Sequence, residues 1–150
     1  MERKKKNPHV TTLLFKEQVS KKSKLKLYPS KITPYVLIDP EKELFLIKGK
    51  SSPENTIKFY NLVFTGLKNY AFTGMDKLSA HICLTYFNSS TAKCLFDLMK
   101  ILQSIKAYGL QVSISWYYED DDEDMLEAGQ DYETVSHIPF NFVELEMVGR

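Results

Sequence analysis

Between Leu78 and Tyr118 the hydrophobic period changes twice, and that succession limits the fold more than any other feature of the chain. From Leu78 to Phe87 the apolar residues take alternate positions (Leu78, Ala80, Ile82, Leu84, Tyr86), with Ser79, His81, Cys83 and Thr85 between them. This predicts a strand with one dry face. Asn88-Ser89-Ser90-Thr91 breaks the alternation, and Leu95, Leu98, Leu102 and Ile105 then recur at helical spacing as far as Gly109, a C-terminal cap. Gln111 to Tyr118 alternates once more, placing Val112, Ile114, Trp116 and Tyr118 opposite Gln111, Ser113, Ser115 and Tyr117. Strand, helix and strand in that order make a right-handed crossover.

Upstream, Tyr35-Val36-Leu37-Ile38, closed by Asp39-Pro40, and Leu44 to Lys48, closed by Gly49, have the pattern of a hairpin with its turn over residues 39–43. Ser52-Pro53-Glu54 predicts a helix start, with Ser as cap, Pro at the first position and an acid where the dipole favours it. That helix is expected to reach Tyr70 and to face the core with Ile57, Tyr60, Phe64 and Leu67. Both alternating strands carry Ser or Thr on their second face. The expected fold class is therefore α/β, a mixed sheet with helices packed mainly on one face, not a sheet covered on both. The N-terminal arm is a candidate cover for part of the open face.

Charge defines that arm. Residues 1–31 hold ten Lys or Arg against two acids, whereas residues 32–150 hold ten against seventeen. Near Ile32 a Lys- and Ser-rich stretch, Ser20 to Lys31, gives way to the hydrophobic runs. Residues 1–31 are thus expected to be a basic, partly disordered extension and 32–150 the folded domain. The arm's apolar stretch, Val10 to Phe15, is interrupted by Thr and too short for a signal-peptide core or a membrane span. A cytoplasmic location without membrane insertion follows as the expectation. Lacking interleaved aromatics or a helical amphipathic pattern, the arm is not expected to bind nucleic acid. Cys83 and Cys94 fall on the predicted strand and helix, so reduced thiols are expected, not a disulfide or a zinc site.

Enzyme chemistry needs a nucleophile, a base and an orienting group, or a metal cluster. His9, His81 and His137 share no ligand spacing, and His81 sits on the polar face of a strand. Gly49-Lys50-Ser51 matches the end of a phosphate-binding loop, but Leu44 stands where that loop needs its first glycine. A Gly turn followed by a helix cap is the simpler account. Glu119 to Asp124 is a run of six acids leading into Met125-Leu126-Glu127-Ala128-Gly129, which predicts one or two helical turns stopped by Gly129. The run lacks the alternating ligands and internal glycine of a calcium loop. Asp120, Asp121 and Asp122 are accordingly expected as a solvated, partner-docking helix entrance, with no metal and no cofactor.

The segment Tyr86 to Lys93 holds three hydroxyls where a strand hands over to a helix. Asn88, Ser89 or Ser90 would each serve as the N-terminal cap, and one is enough. Lys93 lies early in the helix, where a cation opposes the dipole. A phosphoryl group on Ser89 would reverse that cost: it would meet exposed helix amides and Lys93 four residues on, and add roughly −1.5 to −2 charges to the surface.

With these residues in view, the chain resembles the SiaC family of bacterial regulatory phosphoproteins, whose fold is similar to STAS anti-sigma factor antagonists. The likeness runs from about Ile32 to Phe142. It rests on Thr33-Pro34-Tyr35-Val36-Leu37, Ser52-Pro53-Glu54-Asn55, the Tyr86 to Lys93 turn, and Trp116-Tyr117-Tyr118 leading through the acids to Gly129. The resemblance implies a STAS-like fold and a phosphoacceptor just after the Asn of the turn, which is Ser89 here, where the best-known members have Thr. Ser90 and Thr91 are the alternates, and Asn88, Ser89, Ser90 and Lys93 would form the partner-binding edge. It also implies a cognate protein kinase, a PPM-type metal-dependent phosphatase and, in some systems, a diguanylate cyclase activated by the dephosphorylated protein, which would place the chain in cyclic di-GMP signalling and biofilm regulation. A STAS-type anti-sigma factor antagonist, capturing an anti-sigma kinase and so freeing a sigma factor, is the alternative output. The N-terminal arm lies outside the resemblance.

Overall fold

The computed structural model describes residues 24–146, and the strand–helix–strand crossover lies at its centre. The elements in chain order are β1 (Leu25–Leu27), β2 (Tyr35–Asp39), β3 (Leu44–Ser51), α1 (Thr56–Tyr70), β4 (Lys77–Phe87), α2 (Ser89–Tyr108), β5 (Gln111–Glu119), α3 (Glu123–Ser136) and β6 (Phe140–Leu145). The strands also lie in chain order across the sheet. β1–β2 and β2–β3 are antiparallel, and β3 through β6 are parallel. Each parallel step carries one helix, and α2 packs against both α1 and α3, so the three helices form one layer over one face. The mixed sheet with helices on one side is as expected.

Alternation explains which face they take. Val36, Ile38, Phe45, Ile47, Leu78, Ala80, Ile82, Ile114 and Trp116 point under the helices and are at most 1% exposed. The alternate residues of β4 and β5, among them Ser79, His81, Ser115 and Tyr117, lie on the uncovered face. There the His81 ring is bonded on both sides, Nε2 to the Ser79 hydroxyl at 2.9 Å and Nδ1 to the Tyr117 hydroxyl at 2.9 Å. A satisfied polar network of this kind lets half a sheet face water. Both cysteines are free, Cys83 half-buried on β4 and Cys94 buried on α2.

Several local expectations are corrected. The sheet begins upstream of Ile32, because Leu25 and Leu27 alternate with Lys24 and Lys26 and pair with Ile38 and Val36. Residues 1–23 and 147–150, including the arm's proposed disorder and its covering role, lie outside the described residues. α1 starts at Thr56, not after Ser52: Asn55 is the cap, its side chain accepting from the Lys58 amide at 3.0 Å, while the Ser52 amide still donates to the Ile32 carbonyl at 2.7 Å. Its buried stripe is Thr56, Tyr60, Val63, Leu67 and Tyr70. Val63 takes the core position and Ile57 is 67% exposed. Tyr86 is also exposed. α3 runs 14 residues and does not stop at Gly129, which lies in its interior against Trp116. β6 is unmarked in the sequence pattern, since Asn141 and Glu144 interrupt its apolar residues and Pro139 precedes it.

Candidate functional site

β3, β4 and β5 each hand over to a helix at the same, carboxyl, end of the sheet. The three connections solve one problem in one way. An Asx side chain accepts from the amide three residues on: Asn55 from Lys58 at 3.0 Å, Asn88 from Thr91 at 2.8 Å, Asp122 from Met125 at 3.0 Å. Each satisfies a backbone donor that the helix leaves orphaned.

Because Asn88 takes the cap, the hydroxyls that follow are spare. Ser89 is the first residue of the 20-residue α2, both Ser89 and Ser90 are exposed, and neither hydroxyl has a protein partner among the described residues. Thr91 is different. It is fully buried and donates to the Ser51 carbonyl at 3.1 Å. Its oxygen lies 2.9 Å from the Ser51 hydroxyl, which lies 2.7 Å from the Tyr60 hydroxyl. With one proton per hydroxyl, the order of donation is Tyr60 to Ser51 to Thr91 to the Ser51 carbonyl. Burial pushes the Tyr60 phenol up to about 12, partly opposed by its Ser51 bond, so it stays a donor. Thr91, an alternate acceptor by sequence, is therefore a buried strut and presents no hydroxyl to a kinase. Ser51, the end of the Gly49-Lys50-Ser51 echo, lies at the end of β3 and inside the same network. Thr91→Val keeps the shape but strands the Ser51 hydroxyl; guanidinium unfolding is expected to show a loss of about 1–3 kcal/mol with an unchanged slope.

Tyr132 of α3 donates to the Ala92 carbonyl at 2.8 Å, holding the first turn of α2 against α3. Around that turn the surface is concave. One depression of about 590 Å³ is lined by Glu54, Asn55, Thr56, Ile57, Ser90, Lys93, Cys94 and Asp97. A second, of about 420 Å³, is lined by Ala92, Lys93, Phe96, Asp97 and Tyr132. They share Lys93 and Asp97, and exposed apolar side chains mark both, Ile57 in the first and Phe96, 41% exposed, in the second. The Lys100 ammonium lies 4.5 Å from the centre of the Phe96 ring. An exposed ring and an isoleucine flanked by charge are the composition of a protein-docking surface. The sequence pattern does not mark Phe96 and puts Ile57 in the core.

The predicted site residues thus divide. Asn88, Ser89, Ser90 and Lys93 gather at one helix entrance, with Ser90 and Lys93 in one depression. Asp120, Asp121 and Asp122 belong to the next connection along the same end of the sheet: Asp122 caps α3, and the Asp120 amide donates to the Leu145 carbonyl at 3.0 Å, closing the turn onto β6. They line neither depression. Among the described residues no group of three or more His, Cys, Asp or Glu is placed to hold a metal ion, and no helix is long and apolar enough to cross a membrane.

Among the described residues, a six-stranded mixed sheet with three helices on one face makes an α/β domain with a spare hydroxyl at its central helix entrance. The chain belongs to the SiaC family of regulatory phosphoproteins, whose model matches residues 27–145. An uncharacterised protein of Pseudomonas aeruginosa is 25% identical over 108 residues, 72% of this chain and 86% of that protein. The chain is also similar to apo-SiaC of the same organism (TM-score 0.69, 23% identity, 81% of this chain and 97% of that one). It is similar as well to a structure of the P. aeruginosa diguanylate cyclase SiaD in complex with its activator SiaC (TM-score 0.72, 23% identity, 82% of this chain and 99% of that one). At this identity the structural likeness speaks for the fold.

Proposed function

We propose that the chain is a non-catalytic, cytoplasmic signalling adaptor whose Ser89 is reversibly phosphorylated, and that its unphosphorylated form binds and activates a diguanylate cyclase. One observation carries this: Ser89 presents a hydroxyl that the cap does not need, at the positive end of a long helix and beside a concave surface with exposed Ile57 and Phe96. Phosphorylation there would put about −1.5 to −2 charges at the rim of the docking surface. The helix end and Lys93, one turn on, stabilise that charge, while a partner lying over the turn loses its contact to charge and bulk. Ser90, exposed in the same turn, is the alternate acceptor. A protein kinase and a PPM-type phosphatase set the balance, and Asp120, Asp121 and Asp122 offer a further contact for a partner at the same end of the sheet. The cyclase is favoured by the complex in which SiaC is found with SiaD.

The test is a phosphosite map from the native host together with native mass spectrometry against a diguanylate cyclase of that host. Ser89→Asp is expected to weaken the complex at least about tenfold, roughly 1.4 kcal/mol, with Ser89→Ala close to wild type. Equal binding by both variants, with no phosphate on this turn, would end the proposal. Capture of an anti-sigma kinase in place of the cyclase would make the chain a STAS-type anti-sigma factor antagonist.

A further inference from the structure

The two halves of the uncovered sheet face differ in chemistry. Over β4 and β5 it is the hydrogen-bonded set of Ser79, His81 and Tyr117, at ease in water. Over β2 and β3 it is apolar. Leu37 and Leu46 are cross-strand partners, Leu44 lies two residues from Leu46 and Tyr35 two from Leu37, and all four are only half-buried. Tyr28, 73% exposed, extends the patch, its ring centre 6.5 Å from that of Tyr35. Among the described residues no helix covers this side, and a contiguous apolar patch left to solvent is unfavourable in proportion to its area.

We infer that residues 10–15 of this same chain, Val-Thr-Thr-Leu-Leu-Phe, dock across this patch. The arm enters the fold at the right place: Lys24 immediately precedes β1, the strand next to β2, and its ammonium lies 3.6 Å from the carboxylate of Asp39 on β2. From Lys24 back to Phe15 the chain spans up to about 30 Å. Leu46 lies only two strands in from β1, about 10 Å across the sheet. Reach is therefore ample and slack remains. Residues 10–15 carry no charge, whereas the arm around them is Lys-rich, so they are the part of the arm able to settle beside Lys26 and Lys48 without repulsion. The family model starts at residue 27, and the two SiaC structures are matched over 97% and 99% of their own lengths by only 81% and 82% of this chain. The arm is thus an addition to the shared domain, and its docking is a property of this chain.

The full chain carrying Leu14→Asp with Phe15→Asp tests this, since both substitutions lie outside the stretch that the family model matches. In methyl-labelled protein the signals of Leu37, Leu44 and Leu46 are expected to move, and those of Leu98 and Leu102 to stay, equally at every protein concentration. Independently, Leu46→Lys in the full chain should speed tryptic cleavage at Lys16 and Lys21 several-fold. Unmoved methyl signals would overturn the inference. So would shifts confined to the amides of Asp120 to Glu127, which would put the arm on the acids, or concentration-dependent shifts with a dimer in sedimentation, which would put it on a second copy.

Discussion

Gly129→Ala will lower stability by about 2–3 kcal/mol, the upper part of the usual range for an overfilled core, and with it the midpoint of thermal unfolding by roughly 5–10 °C. On an exposed helix the same change would stabilise by about 1 kcal/mol, because glycine is a poor helix former. The sign is decided by Trp116. A Cβ at position 129 would lie 2.5 Å from its Cδ1, 2.6 Å from Nε1 and 2.8 Å from Cγ. The indole has nowhere to go: its Nε1–H donates to the Met125 carbonyl at 2.9 Å, it is stacked on Phe140 with ring centres 6.1 Å apart, and Tyr132 lies at 5.6 Å. Either α3 lifts from the sheet or the indole bond breaks. Calorimetry on the single variant reads the outcome, and a variant as stable as wild type would mean that α3 does not rest on Trp116 as described. Because Tyr132 of α3 also holds the first turn of α2, loosening α3 should reach the Ser89 turn.

Gly129 also explains where the sequence is silent. A glycine in a helical pattern marks either an end or a close approach, and the letters alone do not separate the two. Taken as a stop, it shortens α3 and hides β6 behind it. Where a pattern has one physical meaning, the fold is legible: strict alternation in β4 and β5 placed both strands and their buried faces, and Gly109 did cap α2. β1 is missed because a three-residue strand inside a Lys-rich stretch has too few alternations to rise above its composition. The site was legible in the same uneven way. Three hydroxyls at one helix entrance announced a surplus, but only the hydrogen bonds and burial of the folded chain show that Asn88 is the cap, Thr91 the strut, and Ser89 and Ser90 the surplus. The surface beside them was invisible, because it needs α1, α2 and α3 in place at once.

That surface carries the second large effect. Phe96→Ala is expected to weaken the proposed complex with a cyclase by about 2 kcal/mol or more, at least roughly thirtyfold, because exposed aromatics in a concave, charge-rimmed patch are the usual anchors of an interface. Phe96 is already 41% exposed, so its loss should move the thermal midpoint by only a few degrees. Phe72, 39% exposed just beyond the far end of α1 and edge-on to Tyr108, is the matched control, and Phe72→Ala should leave binding as it is. Isothermal titration of the three proteins settles the comparison; equal losses in both variants would mean a general loss of structure, and no loss in either would move the effector elsewhere. The decisive step is the double variant. If Ser89→Asp repels the partner from the contact that Phe96 anchors, the two losses share one interaction and will sum to less than their separate values. Full additivity would place charge and ring on independent contacts, and phosphorylation would then have to act through something other than the docking surface beside it.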